Sequence, residues 1–291
     1  MPTTKSITKR TTKKKPVSIN SNGTTTLNGY FKVKNGLLSV LERNIRSGVN
    51  TLLLGPTGVG KTELVSNIAI KNNLPLTIFD MGTMSDPIMS LIGNHTITME
   101  NGLTKSTFAK SRFSEVIQQP GIVLLDELSR ANVMANNLLF PCLDFRRELP
   151  MEYCFHDNSP IKIHSECVFF ATANLGGQYT GTHKIDRALM DRFMLIEVEG
   201  LNKSEVKSAL EIECPKLDDT KLSKIVDVYD EINKAHEKYT INFNLSMRHL
   251  KMIGRLVEDG FTVYDSFYII TKGIGGKEGL KSIETILKTS K

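Results

Sequence analysis

The 291-residue sequence has no tryptophan, only four cysteines, and no apolar run approaching the length of about eighteen residues that a membrane-spanning helix needs. Cys142, Cys154, Cys167 and Cys214 show no C-x-x-C spacing. That argues against a zinc site or a disulfide framework and for reduced structural thiols in a cytoplasmic protein. The first 26 residues lack the apolar middle section of a signal peptide. Aromatic residues make up 7 % of the chain, leaving few platforms for stacking nucleic-acid bases. No internal repeat is visible.

Acidic residues are absent from the first fifteen positions, which hold six of the 37 basic residues. The remainder of the chain carries 31 basic against 31 acidic residues, so the net charge of +6 belongs to one end. Residues 1–27, rich in Thr, Ser, Lys and Asn, therefore predict a disordered basic tail. An anchor for nucleic acid is one reading of such a tail. A solvated arm is favoured, because lysine runs are common at chain ends. With 40 % apolar and 23 % charged residues, the body has the composition of a globular protein with a real core.

Within that body, Gly55-Pro56-Thr57-Gly58-Val59-Gly60-Lys61-Thr62 fits G-x-x-x-x-G-K-[ST] at every fixed position. An apolar strand-like run, Thr51 to Leu54, precedes it, and a helical stretch from Thr62 to Ile70 follows, which is the context the motif requires. Glycines permit the backbone angles that turn successive N–H groups toward phosphate oxygens at a helix start. Lys61 is then expected to reach the β- and γ-phosphates and Thr62 to ligate Mg²⁺. The same residues could otherwise be a chance glycine-rich turn.

Further strand candidates are Leu76 to Phe79, Ile122 to Leu125, Val168 to Ala171 and Met194 to Val198, alternating with helical stretches. This alternation predicts a mainly parallel sheet covered on both faces, with ligands at the carboxyl ends of its strands. After Gly200 helical patterns dominate: Ser204 to Glu213, Thr220 to Lys238, Ser246 to Glu258, Tyr264 to Lys272 and Lys277 to Lys288. The expected division is a tail over 1–27, an α/β nucleotide-binding domain over 28–200 and a helical domain over 201–291.

Two acids end the strand Ile122 to Leu125: Asp126, expected in the Mg²⁺ shell, and Glu127, expected to polarise the attacking water. Another strand ends in Ala171-Thr172-Ala173-Asn174, where Asn174 either sits beside the γ-phosphate or is an ordinary turn residue. Arg187 and Arg192 lie on a short helix. Each is a candidate to meet transition-state charge or, alternatively, to form a surface ion pair with Asp186 or Asp191. Ser246 as a helix cap would put Arg248 in a first turn, aimed at an anion.

In order, these motifs (phosphate loop, L-L-D-E, A-T-A-N, D-R-F, then Leu245-Ser246-Met247-Arg248) resemble an AAA+ ATPase over roughly residues 28–291. The resemblance implies a sheet of order 5-1-4-3-2 followed by a small helical lid. It implies ATP as the nucleotide with Mg²⁺, Asn174 as sensor 1, Arg192 as a finger inserted into a neighbour's site and Arg248 as sensor 2. It further implies a homo-oligomeric ring, a hexamer, acting on a protein client or assisting metal or cofactor insertion. A nucleic-acid motor or loader, or a nucleotide-gated assembly module, are the alternatives. Adenine rests on the resemblance alone, since no base-reading motif is legible.

Within the superfamily, Asp126-Glu127-Leu128-Ser129-Arg130-Ala131 is similar to the D-E-I-N-R-A segment of MoxR-type proteins, including the CbbQ and NorQ group, with Leu-Ser replacing Ile-Asn. Tyr179-Thr180-Gly181-Thr182 leading to Met190-Asp191-Arg192-Phe193 resembles the CobS subunit of cobaltochelatase. The MoxR-type likeness suggests a von Willebrand factor A domain protein as partner. Arg130 is then a subunit-interface residue or a solvated charge. Asn101-Gly102 between alternating residues predicts a hairpin, and 146–166 predicts a second, with Ile161 to His164 as its return strand. In the family such hairpins line or flank a pore. His156 and His164 lack metal-ligand company.

Overall fold

The computed structural model describes residues 18–19, 25–27, 31–33, 36–100, 103–151, 159–174, 185–238 and 240–289. Five apolar runs become strands of one sheet: β1 (Thr51–Gly55), β2 (Leu76–Asp80), β3 (Gly121–Asp126), β4 (Cys167–Asn174) and β5 (Met194–Glu197). All neighbours pair in parallel, in the order β5-β1-β4-β3-β2. This is the 5-1-4-3-2 order that the resemblance implied. The near-continuous apolar character of β1, β3 and β4 follows from burial on both faces, as parallel sheets require.

Strand alternation sends neighbouring residues into different cores. Leu53, Leu124 and Phe170 pack under helices α1 (Leu37–Arg46) and α2 (Lys61–Lys71). Leu52, Val123 and Phe169 face the other way, toward α3 (Val133–Leu143) and the short helix Arg112–Val116. Cys142 and Cys167 are buried free thiols in that second layer, and burial raises both above the ordinary thiol range. Cys154 lies outside the described residues.

Four helices follow the sheet: α4 (Lys203–Glu213), α5 (Asp219–Glu237), α6 (Met247–Glu258) and α7 (Val263–Thr289). Their shared core includes Leu210, Ile225, Ile232, Leu250, Ile253 and Phe267. Caps fix where they start. Asn202 and Glu205 form a reciprocal capping box on α4, and Asp218 accepts from the Lys221 N–H at 2.8 Å on α5. The sequence predicted two pieces where α7 is continuous. Gly273, Gly275, Gly276 and Gly279 each cost a helix about 1 kcal/mol relative to alanine, yet glycine is able to adopt helical angles.

A hairpin of Gly93–Glu100 and Leu103–Lys110 leaves the sheet, paired from Gly93↔Lys110 to Glu100↔Leu103. Asn101 and Gly102, on which its prediction rested, lie outside the described residues. Gly93 has φ 136°, and a Cβ there would stand 2.2 Å from the Ala109 carbonyl oxygen, so the hairpin's base admits only glycine. The second predicted hairpin is present as Glu148–Leu149 against Ile161–Lys162. Ser18–Ile19, Thr25–Leu27 and Phe31–Val33 pair antiparallel, so strand pairing reaches into the stretch predicted to be disordered. β-branched Ile19, Thr25 and Thr26 favour extended backbone there.

Leu124 is fully buried in the middle of the sheet. Leu124→Ala is expected to lower unfolding free energy by about 2–5 kcal/mol, read from urea denaturation.

Candidate functional site

The carboxyl ends of β1, β3 and β4 lie side by side, with Asn174 registered on Gly55 and Ala171 on Leu125. The loop after β1 turns through Gly58 (φ 81°) and Gly60 (φ 87°) into α2. Gly60 occupies the N-cap and brings no capping side chain, so the first N–H groups of α2 are left to face a ligand. A Cβ on Gly58 would meet the Cβ of Ser246 at 2.8 Å, which shows how closely the helical part approaches the loop.

Lys61 folds back across this cradle. Its Nζ donates to the Gly55 carbonyl at 2.9 Å, the Pro56 carbonyl at 2.8 Å and Asn174 Oδ1 at 2.9 Å, using all three ammonium hydrogens. Burial pulls its pKa down from 10.5 to about 8, against the opposing pull of Asp126 and Glu127. The ammonium therefore sits where a phosphate oxygen would be a stronger partner than two neutral carbonyls and an amide.

Thr62 Oγ1 donates to Asp126 Oδ1 at 2.9 Å, placing a hydroxyl and a carboxylate together. Such a pair suits Mg²⁺, which takes one or two protein oxygens and completes its shell with water and phosphate. Among the described residues no group of three or more His, Cys, Asp or Glu forms a metal cage. His164 instead accepts from the Glu166 N–H, and His156 lies outside the described residues.

Thr172, quoted in the A-T-A-N run but assigned no role from the sequence, is the hub of the acidic pair. Its hydroxyl donates to Asp126 Oδ1 at 2.5 Å and accepts from the Glu127 N–H at 3.0 Å. The signal was available: Thr172 and Asn174 are two apart on one strand and so share the face toward the loop. Glu127 takes a left-handed backbone (φ 54°, ψ 45°), and its carboxylate pairs with Arg130 Nε at 2.9 Å. Of the two readings open for Arg130, neither anticipated this contact within its own site.

Between loop and helical part lies a cleft of about 410 Å³, lined among others by Lys61, Thr62, Asp126, Glu127, Asn174 and Arg248. That volume falls in the usual range for ligand pockets. Arg248 stands in the first turn of α6, after Ser246, whose N–H donates to His249 Nδ1 at 3.1 Å. Val59, expected with the loop as a binding residue, packs its side chain against the core under α2, which leaves its backbone N–H as the group it could offer a phosphate.

Arg192 is not among the residues lining the cleft. It lies two residues before β5, whose first residue Met194 registers on Thr51, the first residue of β1. Its Nη1 donates to the Ala188 carbonyl at 2.5 Å, its guanidinium lies over the Phe140 ring at 4.6 Å, and its Nη2 is 3.8 Å from Asp144 rather than paired with Asp186 or Asp191. Arg187 is exposed.

Residues 50–193 match the family description AAA domain (dynein-related subfamily). The chain is 30 % identical over 237 residues to a protein of Thauera aromatica named "Putative chaperone BssE", covering 79 % of this chain and 78 % of that one. An uncharacterized protein of Staphylococcus epidermidis is 29 % identical over 215 residues, covering 74 % of each chain. An uncharacterized protein of Staphylococcus aureus is 26 % identical over 194 residues, covering 66 % of this chain and 72 % of the other.

Thr172→Val keeps the shape of the side chain but removes both bonds of the hub. It is expected to cost about 1–3 kcal/mol in urea denaturation and to weaken Mg²⁺-dependent nucleotide binding in titration. The lysine gives a pH signature. Folded Lys61 loses its proton near pH 8 and an unfolded lysine near 10.5, so nucleotide-free protein gains stability from this group as pH rises through that window. A triphosphate raises the Lys61 pKa again, so binding at pH 8.5 should take up roughly three-quarters of a proton, and this uptake should fade toward pH 7. Calorimetry in buffers of different ionisation enthalpy measures it, with Lys61→Met as the control that abolishes it.

Proposed function

This chain belongs to the AAA domain family, in its dynein-related subfamily, and on that premise we propose that it hydrolyses ATP as a homo-oligomeric, hexameric ring that acts on a protein client. The single observation that supports the shared-site reading most is the position of Arg192. The five residues of β1 separate the two edges of the sheet by about 16 Å at the usual strand rise. Arg192 stands at the amino edge and the cleft at the carboxyl edge, beyond the reach of one side chain. If Arg192 meets a γ-phosphate, that phosphate is therefore bound by a neighbouring copy, whereas Arg248 lines the cleft of its own chain.

In this reading the backbone N–H groups of residues 57–62 cradle the phosphates and Lys61 exchanges its carbonyl partners for phosphate oxygens. Thr62 and Asp126 would hold Mg²⁺, which when bound neutralises charge on the phosphates. Glu127 turns from Arg130 to orient and deprotonate the attacking water. Asn174, released by Lys61, aligns that water or the γ-phosphate. Arg248 brings the helical part onto the nucleotide, so that closing of the lid over 201–291 against the domain over 28–200 reports what is bound.

The name of the Thauera relative supports a protein client. The MoxR-type segment 126–131 extends this to a von Willebrand factor A domain partner, and the CobS-like stretch keeps metal or cofactor insertion as the purpose of remodelling. The cytoplasm is the compartment proposed.

Glu127→Gln is expected to retain ATP binding while turnover falls by about 10²–10⁴. Arg192→Ala is expected to bind ATP and lose about 10³–10⁵ in turnover. Mixing the two inactive variants places intact Glu127 next to intact Arg192 at some interfaces and should restore part of the activity. No recovery at any mixing ratio would contradict an arginine acting between subunits.

A further inference from the structure

The amino edge of the sheet carries a second built arrangement beside Arg192. Asn50, directly before β1, donates from Nδ2 to the Leu143 carbonyl at 2.9 Å and to the Arg192 carbonyl at 3.4 Å. The end of α3 and the Arg192 backbone are thus mounted on one buried amide. Asp144 follows Leu143 at once, and its carboxylate is largely covered. It accepts from the Arg146 N–H at 2.9 Å and from Arg146 Nε and Nη2 at 3.1 and 2.7 Å. These bonds hold it ionised, below the usual carboxylate range.

The oxygen that takes Arg146 Nη2 also faces Arg192 Nη2 at 3.8 Å, so one carboxylate stands against two guanidinium groups. Arg192 has capacity to spare, because its Nε is buried with no hydrogen-bond partner. Between Asp144 and Arg146 in the chain, Phe145 projects with 92 % of its surface exposed. Exposed phenylalanine beside arginine is the composition of an interface centre rather than of ordinary surface.

Charge names the occupant. The cleft is lined by Lys61, Arg248 and Lys251 and by Glu63, Asp126 and Glu127, three charges of each sign. A triphosphate makes it net negative even with its Mg²⁺. The Asp144–Arg146–Arg192 cluster carries two positive charges against one negative. We propose that Asp144 and Arg146 are positioning residues that aim Arg192 into the nucleotide cleft of a second copy of this chain, with Phe145 packing on that copy beside the cleft. The inference rests on the shared-site reading above and adds the parts that mount the arginine.

Complementation separates the two. Asp144→Asn should fold with a modestly lowered thermal midpoint, because the ionised carboxylate and its bonds to Arg146 are weakened, and bind ATP normally, yet lose turnover on the order of 10–100-fold. Mixed with Glu127→Gln it should recover activity, because its own Glu127 is intact and the partner's Arg192 is correctly aimed. Mixed with Arg192→Ala it should not recover, since every interface then has a defective arginine. Phe145→Ser, a change at an exposed site, should raise the concentration needed for assembly by about tenfold in sedimentation.

Failure of Arg192→Ala with Glu127→Gln to recover sinks the shared-site reading and this inference with it. Recovery there, combined with no recovery for Asp144→Asn plus Glu127→Gln, sinks this inference alone. So does full activity of Asp144→Asn. If Asp144→Asn does not fold, Arg146→Ala takes its place in the same mixtures with the same expected pattern, and Phe145→Ser with unchanged assembly counts against the packing contact.

Discussion

A parallel strand has two different ends, and the length of β1 sets the distance between them. Gly55 at its carboxyl end opens the phosphate loop, and Asn50 before its amino end ties down the carbonyls of Leu143 and Arg192. Because β4, β3 and β5 run parallel to β1 in fixed register, Asp126 and Asn174 arrive beside the loop while Arg192 is kept at the far edge. One short buried strand therefore decides which groups line the chain's own cleft and which stand at the far edge of the sheet. Neither helix packing nor the hairpins alter that division.

The cleft is preorganised by bonds that a nucleotide would replace. Lys61 occupies the cradle with three acceptors, Thr62 rests on Asp126, and Arg130 holds the Glu127 carboxylate. Each contact satisfies a polar group that would otherwise be costly to leave unpaired in a partly buried site. The Lys61 and Asp126 contacts can be exchanged for a phosphate or a metal at small net cost, because a charged partner replaces a neutral one, and the Arg130–Glu127 pair can open to water because it is solvent-screened. Thr172 differs: its two bonds run between parts of the site itself, fixing the acids against β4.

What was legible from the sequence shares a property: the residues act through spacing along the chain. The loop 55–62, the strand ending in Asp126 and Glu127, and the amphipathic helices after 200 follow from local pattern. Strand order needed the resemblance, since no local rule orders five parallel strands. The missed contacts all depend on backbone turns or on neighbours distant in sequence. Thr172 reads as an ordinary strand former until β3 lies beside it, and the Arg130–Glu127 pair exists because Glu127 adopts a left-handed conformation that no sequence rule assigns to glutamate. The glycines of α7 read as a break, yet the helix there runs on without one.

The claim on which the rest turns is that the arginine completing each site belongs to the neighbouring copy. The most direct measurement is an electron cryomicroscopy structure of assembled Glu127→Gln protein with Mg²⁺ and ATP. The guanidinium of Arg192 should lie at about 2.7–2.9 Å from a γ-phosphate oxygen held by the Lys61 of the adjacent subunit. An assembly in which Arg192 faces solvent or the pore, or in which no second copy approaches the cleft, would contradict it.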